Sequence, residues 1–353
     1  MTPTRPLAVG VTPMETRRDV IREVAVHAER YGYSAFFVAE GWGHDASVLL
    51  AEIALRTSRI QIGTGVLNVW GRSAATIAML ATSLDDVSGG RFMLGLGAGS
   101  PQLAEGLHHV PFVAPLDRLA TVTREVRRLL DGQQPSATGG TRSLQLAARP
   151  AHRVPIQLAA LGPRAVRLSG ELADAWSPFL LPISGLAGSM RLLGEGASRV
   201  AGKAIPRIWP AVPAAVAADP DRAAALAAWW IAFYLTRMGP LYRNALHRAG
   251  FGVEADLVVA GGPPPRGGTA RLPAGAEVLV DELTLHGDAA EARAGLDRWY
   301  EAGAEMPVIV LPPNQPIDDL LHTVESLRPV DLSEPALAPL SPAVAPLSPA
   351  ASA

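Results

Sequence analysis

The side chains best placed to do chemistry in this sequence are few, and one is a carboxylate. Glu40 follows the apolar run FFVA and precedes GWG, where a strand would end and a loop open. A carboxylate at such a position can contact a ligand or move a proton. The stretch AALGPR, residues 159–164, passes from an apolar run straight into a helix-period segment. Pro163 suits the first helical position, because its missing N–H is not needed there. The unpaired N–H groups of that turn, with Arg164 beside them, favour an anion. Residues 88–106, SGGRFMLGLGAGSPQLAEG, carry glycines at 95, 97 and 99 after a short apolar run. A dinucleotide loop needs glycine at its first, third and sixth positions. The sixth is Ser100 counted from Gly95 and Gln102 counted from Gly97, so that fingerprint fails in both registers. The pattern fits a buried strand whose backbone stops against something flat or anionic.

Other chemistries find little support. The chain has no cysteine, which excludes thiol catalysis, disulfides and cysteine-ligated metal. His108 and His109 are adjacent, so they point in different directions, and the nearest acids, Glu105 and Asp117, read as loop-side. No metal site is expected. The G-x-S-x-G elbow and the P-loop lysine pattern are absent. Trp229, Trp230, Phe233 and Tyr234 recur at helical spacing and read as core packing. A net charge of −2 without a long basic run speaks against nucleic acid. No apolar span reaches the ~20 residues of a membrane helix, and the first residues lack a secretory pattern. A cytoplasmic protein without membrane contact is expected.

The elements that must position these residues alternate along the chain. Apolar runs at 7–11, 35–38, 60–64, 92–96, 156–158, 175–177, 207–211 and 307–311 read as strands. Helix-period segments separate them, including 47–56, 76–88, 118–130 and 164–172. This α/β rhythm, with strands apolar on both faces, predicts a parallel (β/α)8 TIM-type barrel with insertions. Residues 1–328 form that single domain, with an insertion around 212–280 that includes GGPPPRGG. The tail 329–353 is Pro/Ala-rich, repeats APLSPA, and is expected to be disordered. In such a barrel, chemistry sits beyond the C-terminal strand ends. Those ends carry Glu40, then Gly65, Val66 and Asn68, then 97–100, 159–162, Ser177 and Pro312. Small residues with one carboxylate suit a large planar cofactor more than a hydrolytic centre.

Four stretches carry a family resemblance: FFVAEGWGHDA (36–46), residues 60–106 with GTGVLNVWGRS, IQLAALGPRAVRLSGELADAW (156–176), and DELTLHGDAAEARAGLDRWYEAGAEMPVIVLPP (281–313). In this order and spacing the chain resembles the luciferase-like flavin/deazaflavin superfamily, most closely its coenzyme F420-dependent oxidoreductases. The resemblance implies a non-prolyl cis peptide at Gly65–Val66 that backs the deazaflavin ring. It implies a cofactor wall at Gly97, Gly99, Ser100 and Gln102. It also implies a phosphate loop formed by Ala159, Ala160, Leu161, Gly162, Pro163 and Arg164. Two departures stand out. Ser100 occupies a position where some relatives carry an acid, and Gly41 one where sugar-phosphate oxidisers carry histidine. Glu40 keeps an acid where relatives have one and is the candidate catalytic residue.

What the resemblance implies is hydride transfer between deazaflavin C5 and a small organic substrate, by a homodimer supplied with electrons by a flavin or F420 reductase. The runner-up is an FMN-dependent two-component monooxygenase, because the shared barrel accommodates either cofactor. A third reading is a non-catalytic flavin- or deazaflavin-binding protein.

Overall fold

The computed structural model describes residues 5–135, 144–265 and 268–329. Among the described residues eleven strands occur in chain order: β1 (Ala8–Val11), β2 (Ala35–Val38), β3 (Gln61–Thr64), β4 (Leu67–Asn68), β5 (Phe92–Gly97), β6 (Ile156–Ala159), β7 (Ala175–Trp176), β8 (Arg207–Ile208), β9 (Ala211–Val216), β10 (Leu285–Gly287) and β11 (Val308–Val310). They pair in parallel in the order β10-β9-β11-β1-β2-β3-β5-β6-β7-β8, with β4 on β5. Residues 207–216 close the ring. β8 pairs with β7 and β9 with β11. Between them, Trp209 N–H donates to Trp176 O at 2.9 Å, and Val308 N–H donates to Pro210 O at 2.8 Å.

Each of the eight expected apolar runs contributes a barrel strand, because parallel strands buried on both faces leave an unmistakable local signature. Phe37, Met93, Trp209 and Val308, with small residues such as Ala8, Ala35 and Ala175, fill one end of the barrel interior. A larger apolar shell lies between sheet and helices. β9 continues to Val216, so the first residues of the expected insertion, 212–216, are barrel strand. Helix Pro220–Arg237 then leads to helices Pro240–Arg248, Gly252–Ala260 and Val278–Leu283. The tail assigned to disorder lies outside the described residues from position 330 onward. No helix among the described residues is long and apolar enough to cross a membrane.

Helix Leu186–Ala197 was not legible in the sequence, since LAGSMRLLGEGA holds three glycines. Packing explains two glycines here. A Cβ on Gly196 would stand 2.0 Å from Arg167 O, and one on Gly170 would stand 2.2 Å from Leu193 O. The two helices therefore meet backbone to backbone, and tertiary contact overrides propensity.

Half-buried acids fasten the N-terminal strand ends. Glu29 accepts the N–H groups of Ser58, Arg59 and Ile60 ahead of β3. Asp174 takes Arg153 at 2.8 Å, Arg127 at 3.0 Å and Ile156 N–H at 2.9 Å. Burial alone would raise the Asp174 carboxyl, but Arg153, the Ile156 amide and Arg127 outweigh it and hold it below the usual range. A lowered folded-state value contributes stability above the unfolded value and loses it as pH falls through the folded one. The urea midpoint should therefore be level from pH 8 to 5 and fall below about pH 4. Asp174→Asn should cost ~1–3 kcal/mol at pH 7 and flatten that acid limb. An unchanged acid limb would remove Asp174 from the account.

Candidate functional site

The C-terminal rim is shaped by a bulge between β3 and β5. Ile62 and Gly63 face Phe92 and Met93, whereas Leu67 and Asn68 face Leu96 and Gly97. One extra residue has entered the first chain, which is a β-bulge. The Gly65–Val66 peptide bond within it is cis. Thr64 replaces the missing ladder: its hydroxyl donates to Gly95 O at 2.9 Å and accepts from Gly95 N–H at 2.7 Å. Gln157 Nε2 donates to Thr64 O at 2.9 Å.

This bulge changes the meaning of the glycines at 95 and 97. A Cβ on Gly95 would lie 1.9 Å from Thr64 O, and one on Gly97 would lie 2.7 Å from Val66 Cγ2. The missing side chains thus admit the neighbouring chain, whereas sequence reading assigned the space to a flat ring. Val66 is half-buried and Gly65 exposed, so the bulge itself is what faces the mouth. Gly99 has a φ of +65° and packs beside Trp70 and Asn68. Ser100 Oγ accepts Leu103 N–H at 3.4 Å, and Ser100 O accepts Leu103 and Ala104 N–H. Ser100 therefore starts the π-helical turn Gln102–Leu107. The Gln102 side chain reaches toward Gly239, ahead of helix Pro240–Arg248.

Glu40 lies beside the bulge, its N–H donating to Val66 O at 3.2 Å. Its carboxylate meets Arg72 in a two-pronged ion pair, with Nη1 on Oε1 and Nη2 on Oε2 at 2.9 Å. Oε2 also accepts Ala46 N–H at 3.0 Å, and Arg72 Nη2 reaches Asp45 Oδ2 at 2.6 Å. Both Glu40 and Arg72 side chains are largely buried. Counting acceptor directions, one lone pair on Oε1 is left for a ligand. Asp45 also caps helix Ala46–Arg56 through Ser47 N–H, and His44 bonds Thr16 O at 2.9 Å. Trp42, in the same loop, is 48 % exposed, between Gly41 and Gly43, which both lie close to Pro13.

The phosphate-loop candidate adjoins the same wall, since Gly97 pairs with Ala159 across β5 and β6. Gly162 precedes helix Pro163–Leu172 without any side-chain cap, leaving the N–H groups of Arg164 and Ala165 without helical acceptors. Ala160 O is taken by Trp176 Nε1 at 2.9 Å, which fixes the turn from below. A Cβ on Gly162 would have only Arg248 Nη2 nearby, at 3.9 Å. Arg164 and Arg248 are both exposed, and neither has an ion-pair or hydrogen-bond partner among the described residues. Glu40, Gly65, Val66, Gly97 and the 159–164 loop thus form one continuous arc of the rim.

The opposite arc is aromatic. Phe179, just past β7, meets Tyr234 at 4.8 Å, Trp230 at 6.0 Å and Tyr242 at 6.1 Å between ring centres. Val310, Met14 and Ala211 join them, so helix Pro220–Arg237 covers this side of the mouth. Burial pushes the Tyr234 and Tyr242 phenols up and keeps them neutral. The Trp230 indole N–H is buried without a partner among the described residues.

Sequence reasoning missed Arg72, Arg248, Phe179 and Tyr242. Only GRS after the bulge signalled Arg72, and nothing local marked the other three. His108 reaches Asn68 Nδ2 at 3.4 Å and packs over Gly71, while His109 has a φ of +56°. The pair serves this loop and does not converge with the acids of the rim. Chemically, the arc offers an apolar wall, an uncapped helix start with two arginines near it, and one carboxylate paired with Arg72.

Residues 2–306 match the model of the luciferase-like monooxygenase family. A Mycobacterium tuberculosis protein named as a coenzyme F420-dependent oxidoreductase is 30 % identical over 329 residues, covering 86 % of this chain and 93 % of that one. The fold is shared with the coenzyme F420-dependent tetrahydromethanopterin reductase of Methanopyrus kandleri, with a TM-score of 0.73 at 19 % identity. That match covers 92 % of this chain and 97 % of the other. The FMN-complexed oxygenating component of 3,6-diketocamphane monooxygenase from Pseudomonas putida gives 0.67 at 17 % identity, covering 92 % and 97 %. The chain belongs to the luciferase-like monooxygenase family.

Proposed function

We propose that this chain is a coenzyme F420-dependent oxidoreductase that transfers a hydride between deazaflavin C5 and a small uncharged organic substrate. The observation that carries this reading is the arc itself. A bulge faces the mouth, and an uncapped helix start with two arginines unpartnered among the described residues stands beside it, an arrangement suited to a planar ring with a phosphate. The near full-length similarity to a relative named for F420 supports the same choice over FMN.

In this reading Gly65, Val66, Gly97 and Ala159 form the wall behind the ring, with Gly99, Ser100 and Gln102 on its flank. Ala160, Leu161, Gly162, Pro163 and Arg164 wrap the phosphate, with Arg248 closing from the insertion. The bound deazaflavin supplies hydride chemistry, and the protein supplies orientation and a dry site. Glu40 accepts a hydrogen bond from the substrate through its remaining lone pair, held in place by Arg72. The aromatic arc of Phe179, Tyr234 and Tyr242 covers the substrate from the other side and carries no charge. That favours an uncharged substrate over a sugar phosphate.

A homodimer fits this reading. Val48 and Leu55 on helix Ala46–Arg56, with Met79 and Val87 on the adjoining helix Ala74–Ser88, stand exposed on one side of the barrel. A separate reductase would renew the cofactor.

Parallel equilibrium titrations with oxidised F420 and FMN, followed by fluorescence, test the proposal. Binding of F420 alone is the expected result. FMN binding alone, together with oxygen uptake when reduced FMN is supplied, would replace this reading with the two-component monooxygenase. Binding of either cofactor without turnover of any alcohol, ketone or quinone would favour a carrier.

A further inference from the structure

Reduction of a carbonyl needs a hydride at carbon and a proton at oxygen, and the polar groups along the cofactor arc are already engaged. Glu40 is paired with Arg72, and a carboxylate in an ion pair can only accept. Ser100 Oγ meets Leu103 N–H, His44 bonds Thr16 O, and His108 packs over Gly71 beside Asn68. The aromatic arc holds two hydroxyls with no such engagement. Of the five tyrosines in the chain, Tyr33 donates to Val324 O at 2.8 Å, Tyr300 donates to Pro6 O at 2.9 Å, and Tyr31 lies beside Glu325. Tyr234 and Tyr242 have no hydrogen-bond partner among the described residues.

Their rings are well used. Tyr234 meets Phe179, Trp230, Phe233 and Tyr242 with ring centres 4.8 to 5.6 Å apart. Packing alone would be served by phenylalanine, as it is at Phe233. An unpartnered phenol oxygen in such a cluster costs desolvation and returns no bond. The Trp230 N–H is closed off from the surface, but neither phenol oxygen is, so a ligand can reach both. Position points the same way. Phe179 bridges to Ala211 just past the C-terminal end of β7. Helix Pro240–Arg248, which carries Tyr242, reaches from the loop after β5 to the loop after β6. A Cβ on Gly239, at its head, would stand 3.8 Å from Gln102 Nε2, and one on Gly162 stands 3.9 Å from Arg248 Nη2 at its end. Tyr242 thus lies on a helix whose two ends meet two segments of the cofactor arc.

We propose that the Tyr242 and Tyr234 hydroxyls together hold the oxygen of a ketone or secondary alcohol, with Tyr242 as the proton donor in the reducing direction; this rests on the deazaflavin reading above. In that direction the carbonyl carbon gains a C–H bond and its electron pair from the reduced deazaflavin, which is oxidised. The C=O π pair moves to oxygen, which takes the Tyr242 proton and becomes the alcohol hydroxyl. Tyr242 is the less buried of the two, so solvent can return its proton. An alkoxide is a far stronger base than a phenolate, so the transfer runs downhill even from phenols that burial holds above their usual range. Alcohol oxidation runs the same steps in reverse.

The test compares the unmodified chain with Tyr242→Phe and Tyr234→Phe, each of which removes one oxygen and keeps the ring. Binding is read by ligand-observed NMR titration, on the full chain alone and then with oxidised F420, which cannot reduce a ketone. The probes are butanone, cyclohexanone and acetophenone, each against the hydrocarbon in which C=CH2 replaces C=O. At least one ketone should bind the unmodified chain about tenfold more tightly than its hydrocarbon. Tyr242→Phe should erase that preference, leave hydrocarbon affinity within about twofold, and leave the urea midpoint no lower. With reduced F420, kcat for the preferred ketone should fall about 10²-fold in Tyr242→Phe and about tenfold in Tyr234→Phe, with F420 affinity within about twofold in both. No preference in any ketone–hydrocarbon pair, or one that survives both substitutions, would overturn the hydroxyl site, while F420 binding would keep the cofactor reading intact. Binding of FMN in place of F420 would overturn the cofactor reading, and the proton step with it.

Discussion

Gly95→Ala should leave little folded protein, with a loss of ~3 kcal/mol or more in stability. The new methyl would sit 1.9 Å from Thr64 O, closer than any van der Waals contact. Neither side can retreat. Thr64 is held to Gly95 by two hydrogen bonds through its hydroxyl, and its carbonyl is held by Gln157. Moving Thr64 would carry Gly65 and Val66 with it, so any fraction that folds should also have a displaced rim and weakened cofactor binding. Gly106→Ala is the control, because nothing lies within 4 Å of its added carbon. It should stay within ~1 kcal/mol of the parent. Urea midpoints by circular dichroism measure both. A Gly95→Ala midpoint matching the control would show that the bulge is not packed as described.

Arg72→Met should cost ~2–4 kcal/mol, because it strands the largely buried Glu40 carboxylate without its cation. Glu40→Gln should cost less, since the amide keeps one acceptor for Arg72 and Asp45 still holds the guanidinium. In a double-mutant cycle the pair should couple by ~1–3 kcal/mol. For catalysis, Glu40→Gln should lower kcat by about 10²-fold with the fastest substrate found, while cofactor affinity stays within about twofold. That split separates a role toward substrate from a merely structural one. A Glu40→Gln enzyme with unaltered kcat and altered stability would make the carboxylate an anchor for Arg72 alone.

The strands and the helix start at Gly162–Pro163 could be read locally. An apolar run of four to six residues, buried on both faces, carries its signature within itself, and so does a Gly-Pro helix start. The helix at Leu186–Ala197 could not be read this way, because its glycines serve a neighbouring backbone 26 residues away in the Gly170–Gly196 pair. The rim followed the same division. Glu40 was legible as a strand-end acid. Its commitment to Arg72, 32 residues on, was not. Arg248 is marked by no local pattern, and it comes near Gly162 only because the insertion folds back over the mouth.

The place of the cis bond came only from the family resemblance. By itself, the order of residues determined the barrel and the segments that face the mouth. Those properties depend on periodicity and turn chemistry over fewer than ten residues at a time. Tertiary structure alone decided what each segment does there. Closure of eight strands sets the register that pushes Thr64 and Val66 into the space left by Gly95 and Gly97. It also brings Arg72 to Glu40. Partnerships of this kind are settled by distances across the ring, and no local stretch of sequence contains them.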